Sequence, residues 1–223
     1  MYYRHEWKHE ISACDLLVLR QRLRTVAKLD NHAANGCYRI TSLYFDTPTD
    51  QALREKVNGV NIREKFRIRY YNDDHSVIHL EKKSKRGGLC HKDSVNVSEA
   101  EVARLLRRDV EWMCDPQRPL LQELRSRMTT QGLAPKVIVD YIREPFVFAP
   151  GNVRVTMDYD IRAGLHCEKF LMPDRMTLPL RDNPILLEVK WDEFLPSIIR
   201  DAVQLDARRT TSFSKYAACR IYG

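Results

Sequence analysis

Six stretches of this 223-residue chain place charged residues at every second position. Residues two apart on a β-strand share a face, so each stretch reads as a strand with one charged and one apolar side. Near the start, Arg4, Glu6 and Lys8 share a face opposite Tyr3, His5 and Trp7. Lys65, Arg67 and Arg69 oppose Phe66, Ile68 and Tyr70, and His79, Glu81, Lys83 and Lys85 oppose Ile78 and Leu80. Tyr141 and Arg143 lie against Ile138, Asp140 and Ile142. Arg154, Thr156 and Asp158 oppose Val153, Val155 and Met157, while Glu188 and Lys190 alternate with Leu187, Val189 and Trp191.

Any one of these strands alone reads as the solvated face of an antiparallel sheet. Taken together they do not. The polar faces hold few of the Ser, Thr, Gln and Asn residues that solvated strands use. With Lys215 they carry eleven basic residues against four acidic ones, Glu6, Glu81, Asp158 and Glu188. Like charges on neighbouring strands repel, so such a face implies an anionic occupant. Arg offers planar forks to phosphate oxygens and Lys offers point charges. The carboxylates then read as ligands for Mg2+ or Mn2+, hard ions that bridge to phosphate. A net charge of +7 and a pI near 9.1 suit that partner.

The rest of the chain sets the frame. Ser12 with Asp15 and Ser98 with Glu101 read as capping boxes opening helices, and Thr47-Pro48 as the cap and first residue of a short one. Gly87-Gly88 loosens the chain after the strand ending at Lys85. Seven or more hairpin-linked strands with outer helices predict an α+β fold on a large antiparallel sheet; closing it would remove its edges and enclose a tunnel. Six scattered cysteines without a CxxC pair, and no secretory leader, read as reduced thiols in a cytoplasmic protein. No run approaches the ~20 apolar residues of a membrane span. Nucleic acid is not expected, because Phe66 and Tyr70 point away from Arg67 and Arg69 rather than interleaving with them. Lys82, Lys85 and Arg86 read as a solvated rim, and His79 as structural.

Eight fragments in order carry a resemblance: Arg4-x-Glu6-x-Lys8, Ser42-Leu43-Tyr44-Phe45-Asp46-Thr47-Pro48, Lys65-x-Arg67-x-Arg69, Leu80-Glu81-x-Lys83, Tyr141-x-Arg143, Arg154-x-Thr156-x-Asp158, Leu187-Glu188-x-Lys190 and Ser214-Lys215-Tyr216. Together they resemble the VTC-type polyphosphate polymerase domain of the CYTH, or triphosphate tunnel metalloenzyme, superfamily. The resemblance spans residue 4 to about 220. It implies one domain over 1–223, built as a closed eight-stranded antiparallel β-barrel tunnel with peripheral helices. It implies catalytic phosphate ligands at Lys8, Arg67, Arg69, Lys83, Arg143 and Arg154, with Arg4, Lys65, Tyr141, Lys190 and Lys215 as further substrate contacts. Glu188 would be the principal ligand of Mn2+ or Mg2+, with Glu6 and Glu81 contributing.

The implied reaction moves the γ-phosphoryl group of ATP onto inorganic polyphosphate. The first fragment has Arg4 where triphosphatases of the superfamily show the first Glu of ExExK, which favours polymerase over hydrolysis. The nearest basic residue before Lys215 is Arg209, farther away than the family pattern implies. Regulatory and membrane domains of eukaryotic members are not in these residues, so any membrane-protein partner is left to another chain. The same-fold alternative is an inorganic or nucleoside triphosphatase; the different-class alternative is a non-catalytic polyphosphate-binding module.

Overall fold

A computed structural model of the chain describes residues 4–33, 35–205 and 210–222. Strand β1 (His5–Ile11) leads into helix α1 (Ala13–Val26), and the short β2 (Lys28–Leu29) precedes β3 (Tyr38–Asp46). After helix α2 (Gln51–Val57) come three hairpin-linked strands, β4 (Arg63–Tyr71), β5 (Asp74–Arg86) and β6 (Leu89–Val97). Helices α3 (Glu99–Leu106) and α4 (Pro119–Gln131) follow, then the long pair β7 (Ala134–Phe148) and β8 (Val153–Gly164). The last elements are β9 (Leu178–Pro179), β10 (Ile185–Trp191), α5 (Ser197–Ala202) and α6 (Lys215–Cys219). Among the described residues no helix is long and apolar enough to cross a membrane.

Eight strands form one antiparallel path, β1-β10-β8-β7-β3-β4-β5-β6, with β2 added on β7 and β9 on β8. The expected closed barrel is not what forms. The sheet curls into an open barrel whose edge strands, β1 and β6, are joined among the described residues by an isolated bridge between Arg4 and Cys90 rather than by a ladder. Farther along β1 a different segment takes the free edge: His9 bridges Thr210, and the Thr211 amide donates to the Lys8 carbonyl at 2.8 Å. That segment covers the part of the β1 edge that runs past the start of β6.

Directly opposed residues of an antiparallel pair point to the same face, so register decides what the curl encloses. Lys8 opposes Glu188, which opposes Thr156. Tyr44 opposes Arg67, which opposes Glu81, and Ser42 opposes Arg69. Arg143 lies between Tyr38 and Asp158. The charged alternation therefore turns inward and the apolar alternation outward. On the outer wall Phe66, Ile68, Ile78 and Leu80 pack under Val102 and Leu105 of α3 and Leu121 and Leu124 of α4. On the other side Leu187, Val189 and Val155 pack under Leu16, Leu19 and Leu23 of α1 and Ile199 of α5. Each fully buried Leu contributes about 1.5–3 kcal/mol, so the outer helices hold the sheet in shape. A third cluster, with Ile40, Val137, Val139, Ile161 and Leu186, packs against Tyr216 and Cys219 of α6.

The local signals mostly hold. Both capping boxes form, at Ser12–Asp15 and Ser98–Glu101. Two readings are corrected. Gly87 and Gly88, at φ 58° and 84°, do not loosen the chain but make the tight turn that sends β6 back along β5. Pro48 does not start a helix, because α2 begins at Gln51. The Thr47 hydroxyl still accepts from the Gln51 amide at 3.1 Å, but the main cap is Asp46, which takes the amides of Ala52 (2.9 Å) and Leu53 (3.1 Å). Asp46 is fully buried and also accepts the Tyr216 hydroxyl at 2.5 Å. The Thr47 amide also donates to it at 2.8 Å, so removing it orphans four donors at once. Asp46→Ala is expected to lower the unfolding free energy by about 2–4 kcal/mol in urea titrations followed by circular dichroism; a loss below about 1 kcal/mol would contradict this account.

Candidate functional site

Inside the curl the charged side chains form two ion-pair groups. The first is built on β4, β5 and β6. Arg67 donates through Nε to Glu81 Oε2 at 2.6 Å and through Nη1 to the Tyr44 hydroxyl at 2.9 Å. Arg69 donates to Ser42 Oγ at 3.0 Å and to the Tyr141 hydroxyl at 3.1 Å, and lies 3.9 Å from Glu81. Lys92 of β6 holds the other Glu81 oxygen at 2.8 Å. Cation forks therefore surround a carboxylate that is only 1% exposed.

The second group gathers around Asp158 and Glu188. Arg143 grips Asp158 with two parallel bonds of 2.6 and 2.7 Å. Lys215, reaching in from α6, meets Asp158 at 2.5 Å and Glu188 at 3.3 Å. Lys8 meets Glu188 at 2.9 Å, and Lys190 sits between Glu188 (3.4 Å) and Glu6 (3.3 Å). Lys83 comes from β5 to Glu6 at 3.4 Å, spanning the gap between the sheet edges. Tyr141 joins the two groups: its hydroxyl accepts from Arg69, and its ring centre lies 4.7 Å from Lys215 Nζ and 5.5 Å from the Arg143 guanidinium.

Burial alone favours neutral carboxylates. Here it is overruled: Arg67, Arg69 and Lys92 hold Glu81 far below the usual range, as do Lys83 and Lys190 for Glu6. Lys215, Lys8, Lys190 and Arg143 do the same for Glu188. All are ionised at neutral pH. Even so, Lys8, Lys65, Arg67, Arg69, Lys83, Arg143, Lys190 and Lys215 outnumber Glu6, Glu81, Asp158 and Glu188 two to one. Lys65 shows the strain most clearly. It makes no ion pair among the described residues, and its ammonium lies 5.2 Å from the Tyr44 ring centre. Burial, with Lys83, Arg67 and Lys8 nearby, brings its pKa down to about 8. Burial pushes the Tyr44 phenol up, yet Arg67, Lys65 and Arg69 bring it down to about 7.

Most of the residues singled out from the sequence converge here: Lys8, Lys65, Arg67, Arg69, Lys83, Tyr141, Arg143, Lys190 and Lys215, with Glu6, Glu81 and Glu188. Two do not join the network. Arg154 stands one inward position nearer the start of β8 than Thr156, and pairs with Asp30 (2.7 Å) and the Tyr38 hydroxyl (2.8 Å). Arg4, just ahead of β1, turns to Asp192 at 2.7 Å and to the Asn152 carbonyl. His79 bonds Asn96 at 2.8 Å, as a structural residue does. Arg209 lies outside the described residues. Sequence reading missed Tyr44, Ser42 and Lys92. Lys92 was lost with β6, whose Lys92-x-Ser94-x-Asn96 alternation was the available signal. Tyr44 sat in plain view within a motif read as a strand end.

The chain's own profile decides its family. The VTC domain profile matches residues 3–221. The chain belongs to the VTC domain family. A search of curated protein sequences finds no match to it. Solved structures share the fold of this VTC domain at low identity. A proposed adenylyl cyclase from Hippeastrum, described as having a dominant triphosphatase activity, is 15% identical with a TM-score of 0.54, covering 98% of this chain and 96% of its own. The PH1012 protein from Pyrococcus horikoshii is 12% identical with a TM-score of 0.54, covering 96% and 98%. A proposed adenylate cyclase from Bacillus halodurans is 14% identical with a TM-score of 0.53, covering 85% and 80%. These likenesses show that the VTC domain shares its fold with these proteins.

Among the described residues no three of His, Cys, Asp or Glu gather to hold a metal with protein ligands alone. The donor set still suits a hard divalent ion of another kind. Glu6 and Glu188 present oxygens on either side of Lys190, a spot that already accommodates a cation, and the remaining ligands would come from phosphate and water.

The Lys65 environment sets a pH dependence in this VTC domain. Its pKa, ordinarily 10.5, is about 8 in the fold. Below pH 8 the native state therefore carries a charge the unfolded chain holds more cheaply, and that penalty fades up to pH 10.5. Stability of the ligand-free protein should rise across this window, with Tyr44 acting in the same direction. Lys65→Met should raise the melting temperature at pH 7 and shrink the rise. An unchanged pH profile in the variant would remove Lys65 as its source.

Proposed function

We propose that this VTC domain is a metal-dependent polyphosphate polymerase that transfers the γ-phosphoryl group of ATP to a growing inorganic polyphosphate. The observation that carries the reading is the enclosed surplus of cations over carboxylates, which matches a chain of phosphates and little else. Arg67, Arg69 and Arg143 present forks to non-bridging oxygens, while Lys8, Lys83, Lys190 and Lys215 supply mobile charge. Bound phosphate shares these cations with Glu81, Asp158 and Glu188, so the site is organised before substrate arrives. Held near Glu188 and Glu6, Mg2+ or Mn2+ would neutralise charge on the reacting phosphoryl oxygens.

Hydrolysis by the same fold is the second reading, and the Hippeastrum protein keeps it in view. Two features favour transfer to phosphate. The inner carboxylates are held far below the range in which a carboxylate removes a proton from water, whereas a phosphate acceptor is already ionised. In addition, Arg4 replaces a carboxylate and turns away to Asp192.

Incubation with ATP and Mn2+ separates the readings on a gel. A ladder of phosphate chains supports the polymerase, free phosphate without a ladder supports the triphosphatase, and no turnover leaves only binding. Within the polymerase reading Arg69→Ala is the sharpest variant. Arg67 and Lys92 still hold Glu81 in it, so the fold should survive. Its kcat/KM should fall at least about 100-fold at an unchanged melting temperature, and near-normal turnover would remove Arg69 from the site.

A further inference from the structure

The two ends of the curled sheet differ in how their cations are paired. At one end, β8 begins and β10 finishes, and Arg154 has a counter-ion, Asp30, at 2.7 Å. At the other end, β3 and β5 finish and β4 begins, with α2 between β3 and β4 in the chain. Lys56 of α2, Arg63 of β4 and Lys85 of β5 are gathered there, all half-buried. Arg63 opposes Lys85 across the ladder, and the next inward pair is Lys65 opposite Lys83. None of Lys56, Arg63 and Lys85 forms an ion pair among the described residues. The carboxylates beside them turn elsewhere: Glu64 to Arg127 (3.2 Å) and Lys82 (3.6 Å), while Glu55 accepts from the Gln51 side-chain Nε2 at 2.8 Å. Among the described residues the Arg63 side chain donates to the Val60 carbonyl.

The Arg63–Lys85 cross-strand pair lacks a counter-ion among the described residues, and so does the next inward Lys65, whose partner Lys83 turns to Glu6; such a row is unfavourable in an unoccupied sheet. The mouth is continuous with the interior. Burial, then Arg63, Lys85 and Lys8, lowers the pKa of Lys56, which places it within electrostatic reach of a residue of the inner network. A polyanion too long for the interior meets matched cations at one end and unmatched ones at the other. The unmatched end offers the larger release of repulsion and of condensed counter-ions.

We propose that Lys56, Arg63 and Lys85 form a second polyanion site at the mouth of the tunnel, and that an inorganic polyphosphate chain longer than the interior leaves through this mouth rather than past Arg154. The proposal rests on the polyphosphate reading above and gives it a direction. Triphosphate fills the interior alone and ignores the mouth; a long chain uses both.

Calorimetric titration of the ligand-free protein with inorganic triphosphate and with long-chain polyphosphate tests it. Wild type should bind the long chain more tightly. The triple variant Lys56→Ser, Arg63→Ser, Lys85→Ser should keep wild-type triphosphate affinity, which also reports that it folds. It should bind the long chain about tenfold more weakly, with a shallower dependence on salt. If the triple variant keeps the full long-chain advantage, or if Arg154→Ser removes it instead, the mouth assignment is overturned. If wild type binds triphosphate but gains nothing from the longer chain, the mouth also fails while the interior reading stands. If wild type binds neither anion, the functional reading itself falls.

Discussion

The structure depends on keeping mutually repelling cations together in a space largely shielded from water. Removing ions from water is costly, and attraction between partners offsets that cost only where geometry is good. Here the offset comes from four inner carboxylates, each shared by more than one cation. Asp158 takes both Arg143 and Lys215, and Glu188 takes Lys8, Lys190, Lys215 and, at 3.8 Å, Arg143. The carboxylates balance part of the charge and leave the remainder for an incoming anion. A fully neutral interior would be more comfortable but would have no attraction for phosphate.

This arrangement requires a stiff outer wall, because unopposed repulsion would spread the sheet. The apolar faces supply it. Leu16, Leu19 and Leu23 of α1 and Leu121 and Leu124 of α4 press on opposite flanks, each on the reverse side of strands that carry the charges. One residue step along a strand separates the cation from its support. The same alternation therefore serves binding and stability at once.

The short α6 shows how a distant segment completes the site. Its Lys215 reaches Asp158 and Glu188, while the adjacent Tyr216 packs against Tyr44 at 5.3 Å and donates to Asp46. Asp46 in turn caps α2, the helix that carries Lys56 to the tunnel mouth. A chain of specific contacts thus runs from a capping carboxylate to the buried Lys215 ammonium, through residues far apart in sequence.

The period-two pattern by itself determined which side chains share a face, because strand geometry permits no other arrangement of Lys65, Arg67 and Arg69. It also marked where strands begin and end wherever Asn, Gly or a capping Ser stood at the boundary. Closure was decided by the tertiary structure: Arg4 bridges Cys90 near the start of β6, so most of β1 runs past that edge strand, where the Thr210–Thr211 segment covers it. Partner choice was decided there too. Arg143 and Arg154 look alike along the chain, yet only Arg143 faces Asp158 across the ladder, while Arg154 finds Asp30 beside it. Register and curvature bring these groups together over more than a hundred residues, and no local pattern encodes distances across a curled sheet.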